Sequence, residues 1–165
     1  KTKNKFQYFI VDFGSIHLIP TLCVYMALLP MIYALAYPGN ELNNLDILAT
    51  FLAVTAVIIQ IISDQQMYNF RKNLSEPRTM KSGLWYYSRH PNYFGEILFW
   101  FSLFVFAFAA NSSFVWLLIG SLIMYALIAI ASVSMMDKRS LERRSDFQEY
   151  MDSTPAIFIN IFKRG

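Results

Sequence analysis

This sequence of 165 residues is short of cysteine, short of charge, and empty of the usual nucleotide and metal signatures. Cys23 is its one thiol, which excludes an intramolecular disulfide and any multi-thiolate metal centre. In its apolar run it packs as a small hydrophobe. Only 15% of the residues are charged, against about 25% in an ordinary soluble domain. Neither GxGxxG nor GxxxxGK(S/T) occurs, so a soluble dinucleotide fold and a P-loop are both unsupported. No His/Cys cluster has metal-ligand spacing, and HExxH and a serine nucleophile elbow are missing, so no metal is expected. There is no repeat at about 20–50 residues and no low-complexity tract. No secretory signal is visible in the sequence, because the first apolar run is too long and has no small-residue cleavage site after it.

What the sequence does have is apolar: 56% of residues are hydrophobic and 17% aromatic. Four runs each approach the roughly 20 residues that cross a bilayer core, at about 14–36, 45–63, 91–110 and 114–134. Pro20 and Pro30 interrupt the first, which neighbouring helices in a membrane accommodate. Asn111, Ser112 and Ser113 alone separate the third run from the fourth, which makes those two an antiparallel hairpin. Beyond them, residues of about 135–154 read as a charged helix ending at Pro155. The expected fold is an all-α integral membrane protein: one domain over 1–165 with four transmembrane helices and a charged inner-face C-terminal helix.

All 14 Lys and Arg residues fall in three segments. Lys1, Lys3 and Lys5 precede the first run, and Arg71, Lys72, Arg78, Lys81 and Arg89 lie between the second and third. Lys138, Arg139, Arg143, Arg144, Lys163 and Arg164 follow the fourth. The connections at 37–44 and 111–113 have none. Four spans bring the three basic segments to one side, the positive-inside pattern. That basic face serves topology and attraction to anionic headgroups, or it frames a pocket for a phosphorylated cofactor, and the charge pattern leaves both open. Nucleic acid is unsupported as a partner, since the basic residues are tied to membrane boundaries.

Three polar constellations sit on the basic side. In SRHPNYFGE, residues 88–96, Pro91 suits a first helical turn, and the helix N-terminus it opens attracts anions. Asn92 and Glu96 are four apart on one helix face with Tyr93 bordering it. Glu96 sits at a depth where an ionisable group faces a cavity or a partner by default, or else locks two helices. His90 reads as a general acid or as a headgroup or capping contact. In QIISDQQMYNFRK, residues 60–72, Gln60, Asp64, Tyr68 and Arg71 make one stripe if the helix continues inward. Arg71 is suited to phosphate by its planar fork. In SMMDKRSLERRSDFQEYMDSTP, residues 134–155, Arg139, Glu142, Arg143, Asp146 and Tyr150 recur at spacings of three and four. A solvated helix with internal ion pairs explains any one of them.

DQQMYNFRK, GLWYYSRHPNYFGE and SVSMMDKRSLERRSDFQEYMDSTPAIF, in this order over about residues 60–160, closely resemble the steroid 5-alpha-reductase-like membrane family. The branch is the one described as 3-oxo-5-alpha-steroid 4-dehydrogenase C-terminal-like. The RHPNYFGE block is shared in part with isoprenylcysteine carboxyl methyltransferases and sterol reductases, so it does not by itself fix the cofactor. The resemblance implies NADPH held between the last membrane helices and the inner-face loops. Carried over by motif, Asp64 and Arg71 would meet the adenosine–phosphate part. Asn92 and Glu96, with Tyr93, would lie at the nicotinamide end beside Arg89 and His90, and Arg139, Arg143 and Tyr150 would close the pocket. Steroid reductases lack the Arg-His-Pro run and end in a His-rich segment where this chain has DKRSLERR, which separates the architecture from the steroid substrate. In that family a polar pair near the N-terminus grips the substrate carbonyl, and this chain is expected to begin after the matching region. It would then be the cofactor-binding part of a longer fold, or a shortened member.

The leading functional expectation is a membrane reductase that passes hydride from NADPH to an activated double bond of a lipid-soluble substrate. Glu96 and Tyr93 would act at the reactive end. A methyltransferase using S-adenosylmethionine is the alternative; the extra ribose phosphate of NADPH suits the cluster of Arg71, Lys72, Arg78 and Lys81 better. A third reading is a non-catalytic subunit of a larger membrane assembly, for example a mitochondrial one. Membrane lipids are partners in every case. The endoplasmic reticulum is the default location for a eukaryotic member, and a mitochondrial or bacterial inner membrane fits the charges equally well.

Overall fold

A computed structural model describes residues 13–37, 41–72 and 78–159. Among the described residues every regular element is helical. A π-helical turn, Phe13–Leu18, leads into α1 (Ile19–Ala36), and α2 (Asn44–Lys72) returns toward the basic side. A single turn, α3 (Leu84–Tyr87), precedes α4 (Pro91–Ala110). The final span starts as a 3-10 turn, Ser112–Leu117, and continues through α5 (Leu118–Ala126) and a π-helical stretch, Leu127–Val133, into α6 (Ser134–Arg143). A short α7 (Phe147–Ser153) follows. Four helices are long and apolar enough to cross a membrane: Ile19–Ala36, Asn44–Lys72, Pro91–Ala110 and the continuous Ser112–Arg143. The protein is a multi-pass integral membrane protein.

Small residues let the spans approach closely, as membrane helices require where lipid supplies no hydrophobic drive between them. Ala27, Ala49 and Ala56 are fully buried. The most extensive helix pairing is between α2 and α4. There Gly95 is indispensable, since a Cβ on it would stand 2.8 Å from both the Ala56 carbonyl oxygen and Gln60 Cγ. Gly120 does the same for α5 against α1, where a Cβ would meet the Met26 carbonyl oxygen at 2.6 Å. One apolar cluster, around Phe104, Val105 and Leu117, fills the outer half of the bundle. A second, of Ile128, Val133 and Ile157 with Tyr93, Phe94 and Ile97 against it, fills the inner half.

The spans expected at 14–36 and 91–110 agree with the helices observed. The second runs past its expected end at 63 to Lys72, because QQMYNFRK keeps good helix formers after the apolar run stops. The charged helix expected over about 135–154 is not continuous. Arg144 takes an extended conformation (φ −135°, ψ 117°), and α7 restarts at Phe147. The break is fixed from outside: Asp146 accepts hydrogen bonds from the Thr79 hydroxyl (2.7 Å) and amide (3.3 Å), while Phe147 and Tyr150 turn inward and are buried. The described basic residues, from Arg71 to Arg144, gather at the inner end. Lys1, Lys3, Lys5, Lys163 and Arg164 lie outside the described residues.

Candidate functional site

The inner end of the bundle holds a cavity of about 370 Å³. Three polar stripes converge on it. From α2 come Asp64, Tyr68 and Arg71, at the i, i+4, i+7 spacing that puts them on one face. From the entrance of α4 come Arg89, His90, Asn92 and Tyr93. From α6 and the turn after it come Met136, Ser140 and Arg144, and α7 adds Phe147 and Tyr150 as the floor.

A buried ionic network builds the wall at the α4 entrance. Asp137, on α6, takes Arg89 Nη2 on one carboxylate oxygen and His90 Nε2 on the other, each at 2.8 Å. The three side chains are all about nine-tenths buried. Arg89 Nη1 also donates to the Met151 carbonyl (3.1 Å) and the Thr154 carbonyl (2.5 Å), so one guanidinium caps the end of α7. The backbone of the same segment pairs with the tail: the Arg89 amide donates to the Pro155 carbonyl (2.9 Å) and the His90 amide to the Ala156 carbonyl (3.0 Å). Tyr150 donates its hydroxyl to the Trp85 and Ser88 carbonyls, and burial pushes that phenol up from its ordinary pKa. It is a structural phenol. His90 stacks on Tyr93, with ring centroids 5.4 Å apart at 21°.

Two guanidiniums border the cavity from different elements. Burial lowers the Arg144 pKa from its ordinary value, and the Arg71 charge lowers it further. Among the described residues neither arginine forms an ion pair within 4.0 Å. Asn92 Oδ1 is buried and accepts no hydrogen bond. The site therefore offers positive charge at one side and an orphaned acceptor at another.

Of the residues singled out from sequence, Asp64, Arg71, Arg89, His90, Asn92, Tyr93 and Tyr150 border this cavity. Glu96 does not; it lies deeper along α4, beside the Trp100 indole. Arg139 and Arg143 are exposed and lie outside the lining. Sequence reasoning missed Arg144 and Asp137. The signal for Arg144 was present as the i, i+4, i+8 spacing of Met136, Ser140 and Arg144, the last of which lies just past the end of α6. Asp137 had no such signal, because its two partners are 47 and 48 positions away.

An all-helical multi-span protein with a polar cavity at its basic end is the class that fold and site define. The chain belongs to the family described as "Protein of unknown function (DUF1295)", a family of steroid 5-alpha-reductase-like membrane proteins, which matches residues 2–154. It is also similar to the "Uncharacterized protein C594.04c" of Schizosaccharomyces pombe, at 25% identity over 182 aligned positions. That alignment covers 93% of this chain and 51% of the yeast protein, so the chain spans about half the length of the curated relative it matches. No solved structure matches it.

Proposed function

We propose that the protein is a membrane-embedded, NADPH-dependent reductase of a lipid-soluble substrate with an activated double bond. The observation that carries this reading is the pair Arg71 and Arg144, unpaired guanidiniums bordering one cavity at the membrane's basic face. Two like charges held this way suit a phosphate group, to which arginine makes paired charge-assisted bonds. The residues present also fit the rest of such a dinucleotide. Asp64 and Tyr68, on the same stripe as Arg71, can take ribose hydroxyls, and the free Asn92 Oδ1 can accept from a carboxamide. When bound, NADPH would supply a hydride. Tyr93, held by its stack on His90, would border the reactive end, with Glu96 one turn behind it.

The reading is tested by titrating the purified protein in mild detergent with NADPH and, separately, S-adenosylmethionine. Saturable NADPH binding, weakened at least about tenfold by Arg71→Ala and by Arg144→Ala, is expected; that factor corresponds to about 1.4 kcal/mol. S-adenosylmethionine binding without NADPH binding would move the assignment to methyl transfer. Binding of neither by the folded chain would turn attention to a subunit role.

A further inference from the structure

The geometry points to a second chemical capability in the same cavity: we propose that Asp137 and His90 form a proton-transfer pair whose working atom, His90 Nδ1, opens onto the bound substrate. The inference rests on the reductase reading for the identity of that substrate, and on the pair's own geometry for everything else.

A carboxylate only accepts hydrogen bonds, so the 2.8 Å contact between His90 Nε2 and Asp137 Oδ1 puts a hydrogen on Nε2. That fixes the neutral ring in one tautomer and leaves the lone pair on Nδ1. Nδ1 makes no hydrogen bond within the protein, yet it is not among the buried polar atoms sealed from solvent. The ring is 7% exposed, and it borders the cavity. Its accessible nitrogen is thus the one Asp137 does not hold. The carboxylate also stabilises the imidazolium formed when Nδ1 takes a proton, the role an aspartate plays behind a catalytic histidine. Arg89, on the other carboxylate oxygen, keeps Asp137 oriented and stays locked by the Met151 and Thr154 carbonyls. Stacking on Tyr93 fixes the ring plane. The other charged or titratable groups lining the same cavity are Tyr150 on α7, Asp64, Tyr68 and Arg71 on α2, and Arg144 after α6.

Reduction of an activated double bond needs a proton as well as a hydride. Once one carbon has gained the hydride, its neighbour holds an electron pair. The Nδ1–H bond of the imidazolium then breaks, the proton goes to that carbon, and the ring is left neutral with Nε2–H still on Asp137. Water entering from the inner face returns the proton to Nδ1. His90 is the proton donor in this scheme, and Asp137 is a positioning residue that acts through it.

The test uses the intact protein in lipid nanodiscs, without nucleotide, carrying nitrogen-15-labelled histidine. There are two histidines, so His17→Asn leaves a single ring to follow. The expected result is the Nε2–H tautomer of the neutral ring, with Nδ1 unprotonated and free of any protein partner. Asp137→Asn is expected to lose that single-tautomer signature. A ring with its hydrogen on Nδ1 in the folded wild type overturns the proposal even if Asp137→Asn fails to fold. NADPH titration of the same sample separates the two ideas: loss of nucleotide binding would count against the reductase reading, while the tautomer decides the pair.

Discussion

At the inner end of the bundle, Asp137, Arg89, His90 and Tyr150 tie α6, the α4 entrance and α7 together through buried polar contacts. At the outer end the connections carry no Lys or Arg, and aromatic contacts bring the spans together. Tyr33 meets Phe114 and Trp116 edge-on at 5.1 and 5.4 Å, and Asn111 caps the turn by accepting from the Ser113 amide at 2.8 Å. Asn43, just before α2, donates from Nδ2 to the Ala109 carbonyl of α4 there. Shape and aromatic contact suffice to close the outer end. Among the described residues the buried ion pairs are confined to the inner end, around its polar cavity, which is the reason to read them as serving it.

The comparison is broken most directly at Asp137. Asp137→Ala leaves Arg89 and His90 buried without their counter-ion, a change that costs about 3–5 kcal/mol. Asn111→Ala at the outer end is expected to cost about 1 kcal/mol. Thermal unfolding in one detergent compares the two, and equal losses would erase the distinction. The glycines sharpen it. Gly95→Val and Gly120→Val should each destabilise by about 1–3 kcal/mol through overpacking. Only the first, at the inner helix pairing, should also abolish nucleotide binding. Next comes Tyr150→Phe, which leaves the Trp85 and Ser88 carbonyls short of a donor and should cost about 1 kcal/mol in the same assay.

The smallest effect is in pH. Burial works against the Asp146 charge, but the Thr79 hydroxyl and amide and the Lys81 ammonium outweigh it and hold the carboxyl below the usual carboxylate range. A depressed carboxylate contributes its stability in full above the unfolded-state value of about 3.9 and loses it as pH falls through the folded value. Docking of α7 should therefore persist at pH 5 and loosen only below about pH 4. Limited proteolysis around residue 145 reports this, and Thr79→Ala should move the onset to higher pH.

The spans were legible because bilayer thickness imposes a length and lipid imposes a composition, and both can be counted along the chain. The α2 stripe and the α4 entrance were legible for a related reason: their functional residues lie within two helical turns, where spacing dictates which face they share. Arg139 and Arg143 were expected at the pocket from the family resemblance alone, and both are exposed outside its lining. The bonds from Thr79 to Asp146 anchor the chain just after α6, and Arg144 lines the cavity where those two do not. Asp137 was invisible, since no local pattern reports a partner nearly fifty positions upstream.

The pairing of Arg89 and His90 with Pro155 and Ala156 also sets an order of events in time. As a ribosome delivers the chain, α1, α2 and α4 can insert and meet while the tail is still unmade. The inner wall cannot close until residue 156 has emerged, because its backbone partners span 66 positions of sequence. Closing so distant a contact is slow and comes late. The site thus comes into being after the spans, and a nascent chain stalled before the tail would sit in the membrane with its spans assembled and its cavity unformed.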